Sequence, residues 1–170
     1  MSNCAVLLAE DDPNEVFLME RAFHNANLKN PMHVVRDGQE AIDYLSHQGN
    51  FTDTTRHPAP KLMLLDLKMP RKNGFEVLEW LRQQPALRPL IVVVLSSSDL
   101  ADDVNRAYDL GANSYLVKPG DFEALINMVK TLDAYWLKLN QQVSRERSFE
   151  YPGRRRQPRR PRADSAGNQP

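Results

Sequence analysis

Apolar residues gather in five short runs, at 5–9 (AVLLA), 32–35 (MHVV), 62–65 (LMLL), 90–95 (LIVVVL) and 114–117 (SYLV). The longer runs are nearly continuous rather than alternating, the habit of strands buried on both faces in a parallel sheet. Between the runs the period changes from two to about 3.6. Val16, Met19, Ala22, Phe23 and Ala26 form one stripe. The helix carrying it is expected to start with Asp12 as N-cap, Pro13 in the first turn and Glu15 as the returning half of a capping box. Ala41, Ile42 and Leu45 follow the Asp37-Gly38 turn and mark a second helix ending near Gly49. Phe75, Val77, Leu78 and Leu81 predict a third over 74–82, stopped by Pro85. A fourth runs from about 100 to 110 and ends at Gly111, a residue suited to a helix C-terminus. From Asp121 a long helix places Phe122, Leu125, Ile126, Val129, Leu132, Trp136 and Leu139 on one stripe. Residues 50–61, polar with two prolines, read as a surface loop. Strand and helix alternate five times, which predicts an α/β fold with a parallel sheet covered on both faces.

The charge distribution divides the chain. Its 22 basic and 22 acidic residues cancel, yet residues 1–144 carry a balance of −5 and residues 145–170 one of +5. A folded domain over 1–143 is expected, followed at 144–170 by a disordered Arg/Pro-rich tail. The acidic domain gives no reason to expect nucleic acid. The arginines of the tail (Arg154, Arg155, Arg156, Arg159, Arg160) lack interleaved aromatic residues and read as a solvated end. Cys4 is the only cysteine, which excludes a disulfide framework or a thiolate metal site. With no basic–apolar leader and no run long enough to span a bilayer, a cytoplasmic location away from membranes is expected. His24, His33, His47 and His57 show no ligand spacing and read as surface or turn residues; Trp80 and Trp136 read as packing residues.

Candidate chemistry sits where the strands end. The first run is followed by Glu10 and Asp11, the third by Asp66, the fourth by Ser96 and the fifth by Lys118 and Pro119. In a parallel sheet these side chains meet at one edge, the edge where ligands bind in open α/β folds. Three carboxylates close together repel unless a cation offsets them, and hard oxygen donors suit Mg²⁺. Acids, a lysine and a hydroxyl around a nucleophilic aspartate are what receiving a phosphoryl group requires. Each residue alone has a plain structural reading, as a helix cap or turn residue. Their joint occurrence at successive strand ends favours chemistry.

These motifs resemble the receiver domain of two-component response regulators over about residues 4–140: Glu10-Asp11, Leu65-Asp66-Leu67-Lys68-Met69-Pro70 with Gly74, Ser96, and Lys118-Pro119. The resemblance implies a flavodoxin-like five-stranded parallel sheet of order 2-1-3-4-5 with helices on both faces. It implies Asp66 as the phosphorylated residue, and Asp11, Asp66 and the main-chain carbonyl of Lys68 as Mg²⁺ ligands, with Glu10 acting through water. Ser96 stands at the switch hydroxyl, Lys118 at the phosphate-contacting lysine and Tyr115 at the aromatic switch. Pro119 is implied to follow a cis bond and to act as a positioning device. The 50–61 loop, the 107–115 segment and the long last helix with Tyr135-Trp136-Leu137 are similar to single-domain regulators paired with phytochrome-type histidine kinases. That group implies a homodimer through the face of the fourth helix, fifth strand and fifth helix. The expected partner is a sensor histidine kinase, and no enzymatic activity is expected. Two other functions share the strand-end aspartate. A haloacid-dehalogenase-type phosphatase needs a second aspartate two residues on, where this chain has Lys68. A pseudo-receiver that binds partners without phosphorylation has no need of the acids and Lys118.

Overall fold

The structure, a computed structural model, describes residues 4–141; the expected tail at 144–170 lies outside them. The chain forms β1 (Val6–Ala9), α1 (Pro13–Asn25), β2 (Met32–Val35), α2 (Gly38–Ser46), β3 (Leu62–Leu65), α3 (Gly74–Arg82), β4 (Ile91–Ser96), α4 (Ala101–Asp109), β5 (Ser114–Val117) and α5 (Phe122–Leu132). All pairings are parallel, as the alternation of strand and helix predicts, and the sheet order is β2-β1-β3-β4-β5, as the resemblance implies.

The period of two along each strand divides the core in two. Leu7, Ala9, Met63, Leu65, Val92 and Val94 face one way, against Ala41, Tyr44, Val77, Leu78, Leu81 and Ala107 from α2, α3 and α4. Val6, Leu8, Leu62, Leu64, Val93 and Leu95 face the other way, against Val16, Met19, Phe23, Val129 and Leu132 from α1 and α5. Both faces are therefore covered, which is why β1, β3 and β4 contain almost no polar residue. Each fully buried Leu or Val side chain contributes roughly 1.5–3 kcal/mol.

The helix starts follow their capping chemistry, with one exchange. Asp12 caps α1 by accepting the Asn14 N–H at 2.8 Å, but the box with Glu15 does not form. The Asp12 N–H that Glu15 was expected to take is already donated to Glu10 Oε1 at 3.1 Å. Glu15 instead turns toward Lys118, 3.9 Å away. The complete capping box is at α3, between Asn73 and Glu76. Gly111 follows α4 at φ +92°, the left-handed backbone expected of it.

Two other expectations give way. The last helix does not keep one stripe to its end. After Leu132 it widens into a π-helical segment, Asp133–Leu139, and this change of pitch turns Leu139 outward, leaving it 71% exposed while Trp136 stays packed. His33 and His57 are not plain surface residues. With Tyr44 and Phe51 they form a ring cluster, the two imidazoles 6.2 Å apart and His57 5.1 Å from Phe51, which fastens the 50–61 loop to β2 and α2. The Tyr44 hydroxyl donates to Pro58 O at 3.0 Å and closes it.

Burial, with the His57 ring second, pushes the His33 pKa below its usual 6.5. Folding thus favours neutral His33. Its share of stability is present above the unfolded value and is lost as pH falls through 6.5 toward the depressed folded value. Urea midpoints should therefore drop between about pH 7.5 and about pH 5.5, and His33→Phe, which keeps a ring but cannot titrate, should flatten that drop. An equally steep drop in the variant would assign the pH dependence elsewhere.

Candidate functional site

The sheet order reverses between β1 and β3, and this switch point opens the crevice at the strand ends. Ala9 pairs with Leu65, so the next residues, Glu10 and Asp66, emerge side by side. The Asp66 N–H donates to Ala9 O at 3.0 Å and the Glu10 N–H to Val35 O at 3.0 Å, which fixes both main chains. Asp11 begins the turn into α1 and is exposed. Carboxylate oxygens of Glu10, Asp11 and Asp66 lie within 4.8 Å of one another. Three hard oxygen donors this close fit a divalent cation of the Mg²⁺ or Mn²⁺ kind.

On the other side, Ser96 pairs with Val117, so Lys118 leaves β5 beside the end of β4; its N–H donates to Ser96 O at 2.9 Å. The Lys118 ammonium lies 2.7 Å from Glu10 Oε2 and 3.7 Å from Asp66 Oδ1. Burial raises the Asp66 pKa, although Lys118 and the N–H groups of Lys68 and Leu67 work against it. Glu10 is raised for the same first reason, opposed by its bond to Lys118. Burial also works against the charge on Lys118, but Glu10, Asp66 and Glu15 outweigh it and hold its pKa above the usual value. The site thus carries more negative charge than its lysine offsets. A cavity of about 180 Å³ opens beside Asp66, Lys118 and Glu15, with an apolar floor that includes Leu8 and Leu95.

The Lys118–Pro119 bond is trans: the described residues contain no cis peptide, which corrects the expectation for Pro119. Trans is the intrinsically favoured isomer of an X–Pro bond, and with it Lys118 already reaches both carboxylates. Ser96 is buried, and its Oγ accepts the Ser98 N–H at 3.1 Å, leaving its own proton to donate. Tyr115 is half-buried; its hydroxyl donates to Ser98 O at 2.9 Å, which ties β5 to the loop after β4. The Ser98 hydroxyl is directed to Asp103 of α4, at 2.6 Å. Lys68 is exposed.

Two contacts of this region had no local signal in the sequence. One is Glu15 with Lys118, since Glu15 read as a cap. The other joins Asp37, read as a turn residue, to Arg71, 34 positions away.

The receiver-domain model of response regulators matches residues 6–130. The probable methanogenesis regulatory protein FilR2 of Methanothrix harundinacea is 39% identical over 136 residues, 79% of this chain and 84% of that protein. Response regulator Rcp1 of Synechocystis sp. is 35% identical over 133 residues, 78% of this chain and 88% of its own. Its Mn²⁺-bound crystal structure aligns with a TM-score of 0.73 at 33% identity, covering 83% of this chain and 99% of that one. The phosphorylated cyanobacterial phytochrome response regulator RcpA aligns with a TM-score of 0.77 at 34% identity, covering 84% of this chain and all of that one. With the reversed sheet, the clustered carboxylates and the lysine between them, the match leaves one assignment: the chain belongs to the response regulator receiver domain family.

Proposed function

We propose that this chain is a phosphorylation-driven signalling switch in which Asp66 accepts a phosphoryl group from the histidine of a sensor kinase. The observation that carries the reading is the carboxylate cluster of Glu10, Asp11 and Asp66 with the Lys118 ammonium 3.7 Å from Asp66. A carboxylate oxygen of Asp66 attacks phosphorus, the bond from phosphorus to the donor imidazole nitrogen breaks, and its electron pair leaves with that nitrogen. Lys118 pairs with a phosphoryl oxygen, and the Ser96 hydroxyl donates to another. Asp11, Asp66 and the Lys68 carbonyl would hold Mg²⁺, with Glu10 acting through water; the ion supplies positive charge where oxygens of the transferred group gather.

Ser96 and Tyr115 both bond to Ser98, its N–H and its carbonyl respectively. Drawing Ser96 toward a phosphoryl oxygen therefore disturbs the acceptor of the Tyr115 hydroxyl, and with it the face of α4, β5 and α5. Tyr108 and Val117 are each 48% exposed on that face, which supports a homodimer there. The likeness to Rcp1 and to RcpA, a phytochrome response regulator, supports a light-sensing histidine kinase as the donor.

Incubation with a phosphorylated phytochrome-type kinase, or with a small acyl phosphate and Mg²⁺, is expected to add one phosphoryl group at Asp66, located by peptide mass mapping. Labelling of another residue, or none from either donor, overturns the reading. Sedimentation velocity of the labelled sample is expected to show a larger dimer fraction; an unchanged one removes the dimer from it.

A further inference from the structure

The loop from Asp66 to Asn73 carries the Lys68 carbonyl, and its far half is held from an unexpected direction. Arg71 stands at φ +61°, a left-handed backbone rarely adopted by a residue with a long side chain. Its guanidinium donates from Nε to Asp37 Oδ2 at 2.8 Å, and its Nη2 lies 2.6 Å from the same oxygen. Asp37 Oδ1 accepts the Glu40 N–H at 2.8 Å and caps α2, so both carboxylate oxygens are engaged. The Asp37 side chain is only 12% exposed. Next to it, the Gly38 N–H donates to Lys72 O at 3.1 Å. A Cβ on Gly38 would lie 2.1 Å from that same oxygen, so the two backbones meet with no room between them.

The loop is thus fastened at its start by β3, at its end by Gly74 N–H to Leu67 O at 3.0 Å, and in its middle by the start of α2, at Asp37 and Gly38. That third anchor matters because Asp37 follows β2 by two residues, and β2 pairs with β1, the strand that delivers Glu10 and Asp11. The two sides of the cation site, the carboxylates after β1 and the loop after β3, are therefore referenced to a common element.

We propose that Arg71 and Asp37 are positioning residues that set the divalent-cation affinity of the site, by clamping the loop that carries the Lys68 carbonyl against the turn between β2 and α2. The inference rests on the reading that Glu10, Asp11, Asp66 and the Lys68 carbonyl form that site. An ordinary surface pair would leave affinity untouched. A clamp on the loop that carries a ligand changes it, and groups bonded directly to ligands set the scale at about 10-fold or more.

The test is Mn²⁺ binding to the full chain, followed by the electron paramagnetic resonance signal of free Mn²⁺. Arg71→Ala is expected to raise the Mn²⁺ Kd about 10-fold, Arg71→Lys to recover part of it through a single donor, and Asp37→Asn, which keeps an acceptor for the Glu40 N–H, to weaken binding in the same direction. Far-UV circular dichroism checks that each variant is folded; the Arg71 side chain is 56% exposed, so its removal leaves the core alone. Asp66→Asn separates the clamp from the site. If Asp66→Asn loses Mn²⁺ while Arg71→Ala binds as wild type does, the clamp is overturned and the site stands. If wild type and Asp66→Asn bind Mn²⁺ alike, both are overturned.

Discussion

Asp66→Asn is expected to abolish phosphoryl acceptance and, without divalent cation, to raise the melting temperature of the chain. The two effects have one cause. Asp66 is 7% exposed, and burial is the largest influence on its carboxylate, disfavouring its charged form. A pKa raised in the folded state means that folding works against the ionised group at neutral pH. An amide of the same shape removes that penalty and keeps an oxygen to accept the N–H groups of Lys68 and Leu67 that favour the carboxylate. The gain is expected as a rise of a few degrees in melting temperature. It is small because the Lys118 ammonium, 3.7 Å away, already offsets part of the penalty. With saturating Mg²⁺ the order should reverse, since only the carboxylate gains from the ion. Thermal melts of both proteins with and without Mg²⁺, alongside labelling by an acyl phosphate, read all three outcomes. A metal-free variant that melts below wild type would mean that the attraction to Lys118 outweighs desolvation.

The sheet was legible in the sequence because a strand buried on both faces is written as a contiguous apolar run. The Val92-Val93-Val94 stretch and Leu62–Leu65 admit little else, and both became central strands. The strand-end residues were legible for a related reason: each lies next to its run, so the topology alone carries Glu10, Asp66, Ser96 and Lys118 to one edge. What escaped were contacts that topology does not dictate. Nothing local tells Glu15 to serve Lys118 rather than the Asp12 N–H, because the choice turns on the intervening Glu10 carboxylate. Arg71 and Asp37 meet only because β2 lies beside β1 and the β3 loop leans toward it. The π-helical widening after Leu132 falls within an unbroken apolar stripe, so periodicity predicted a helix that continued at constant pitch.

Gly74→Ala is expected to destabilise the chain by about 2 kcal/mol or more, although the same change at an unobstructed helical position would stabilise it. Gly74 opens α3, where the helix passes against the end of β3. A Cβ there would stand 2.4 Å from Asp66 O, 2.8 Å from Leu67 Cα and 3.1 Å from Leu67 Cδ2. Two of those atoms are backbone and cannot turn aside. The replacement gains roughly 1 kcal/mol from helix propensity and a reduced unfolded-state entropy. Against this, α3 must back away from β3, opening the contact of Phe75, Val77 and Leu78 with the core and breaking the Gly74 N–H bond to Leu67 O. Relief by shifting β3 instead would move the main chain of Asp66, so labelling of Asp66 should slow as well as stability fall. Gly120→Ala is the matched control: it lies two residues from Lys118, no heavy atom stands within 4 Å of its added Cβ, and its backbone is not left-handed. It is expected to change the urea midpoint little or to raise it slightly. Equal midpoints for the two alanine variants would show that α3 can withdraw at no cost, and that the close approach of Gly74 to Asp66 is not what holds the nucleophile in place.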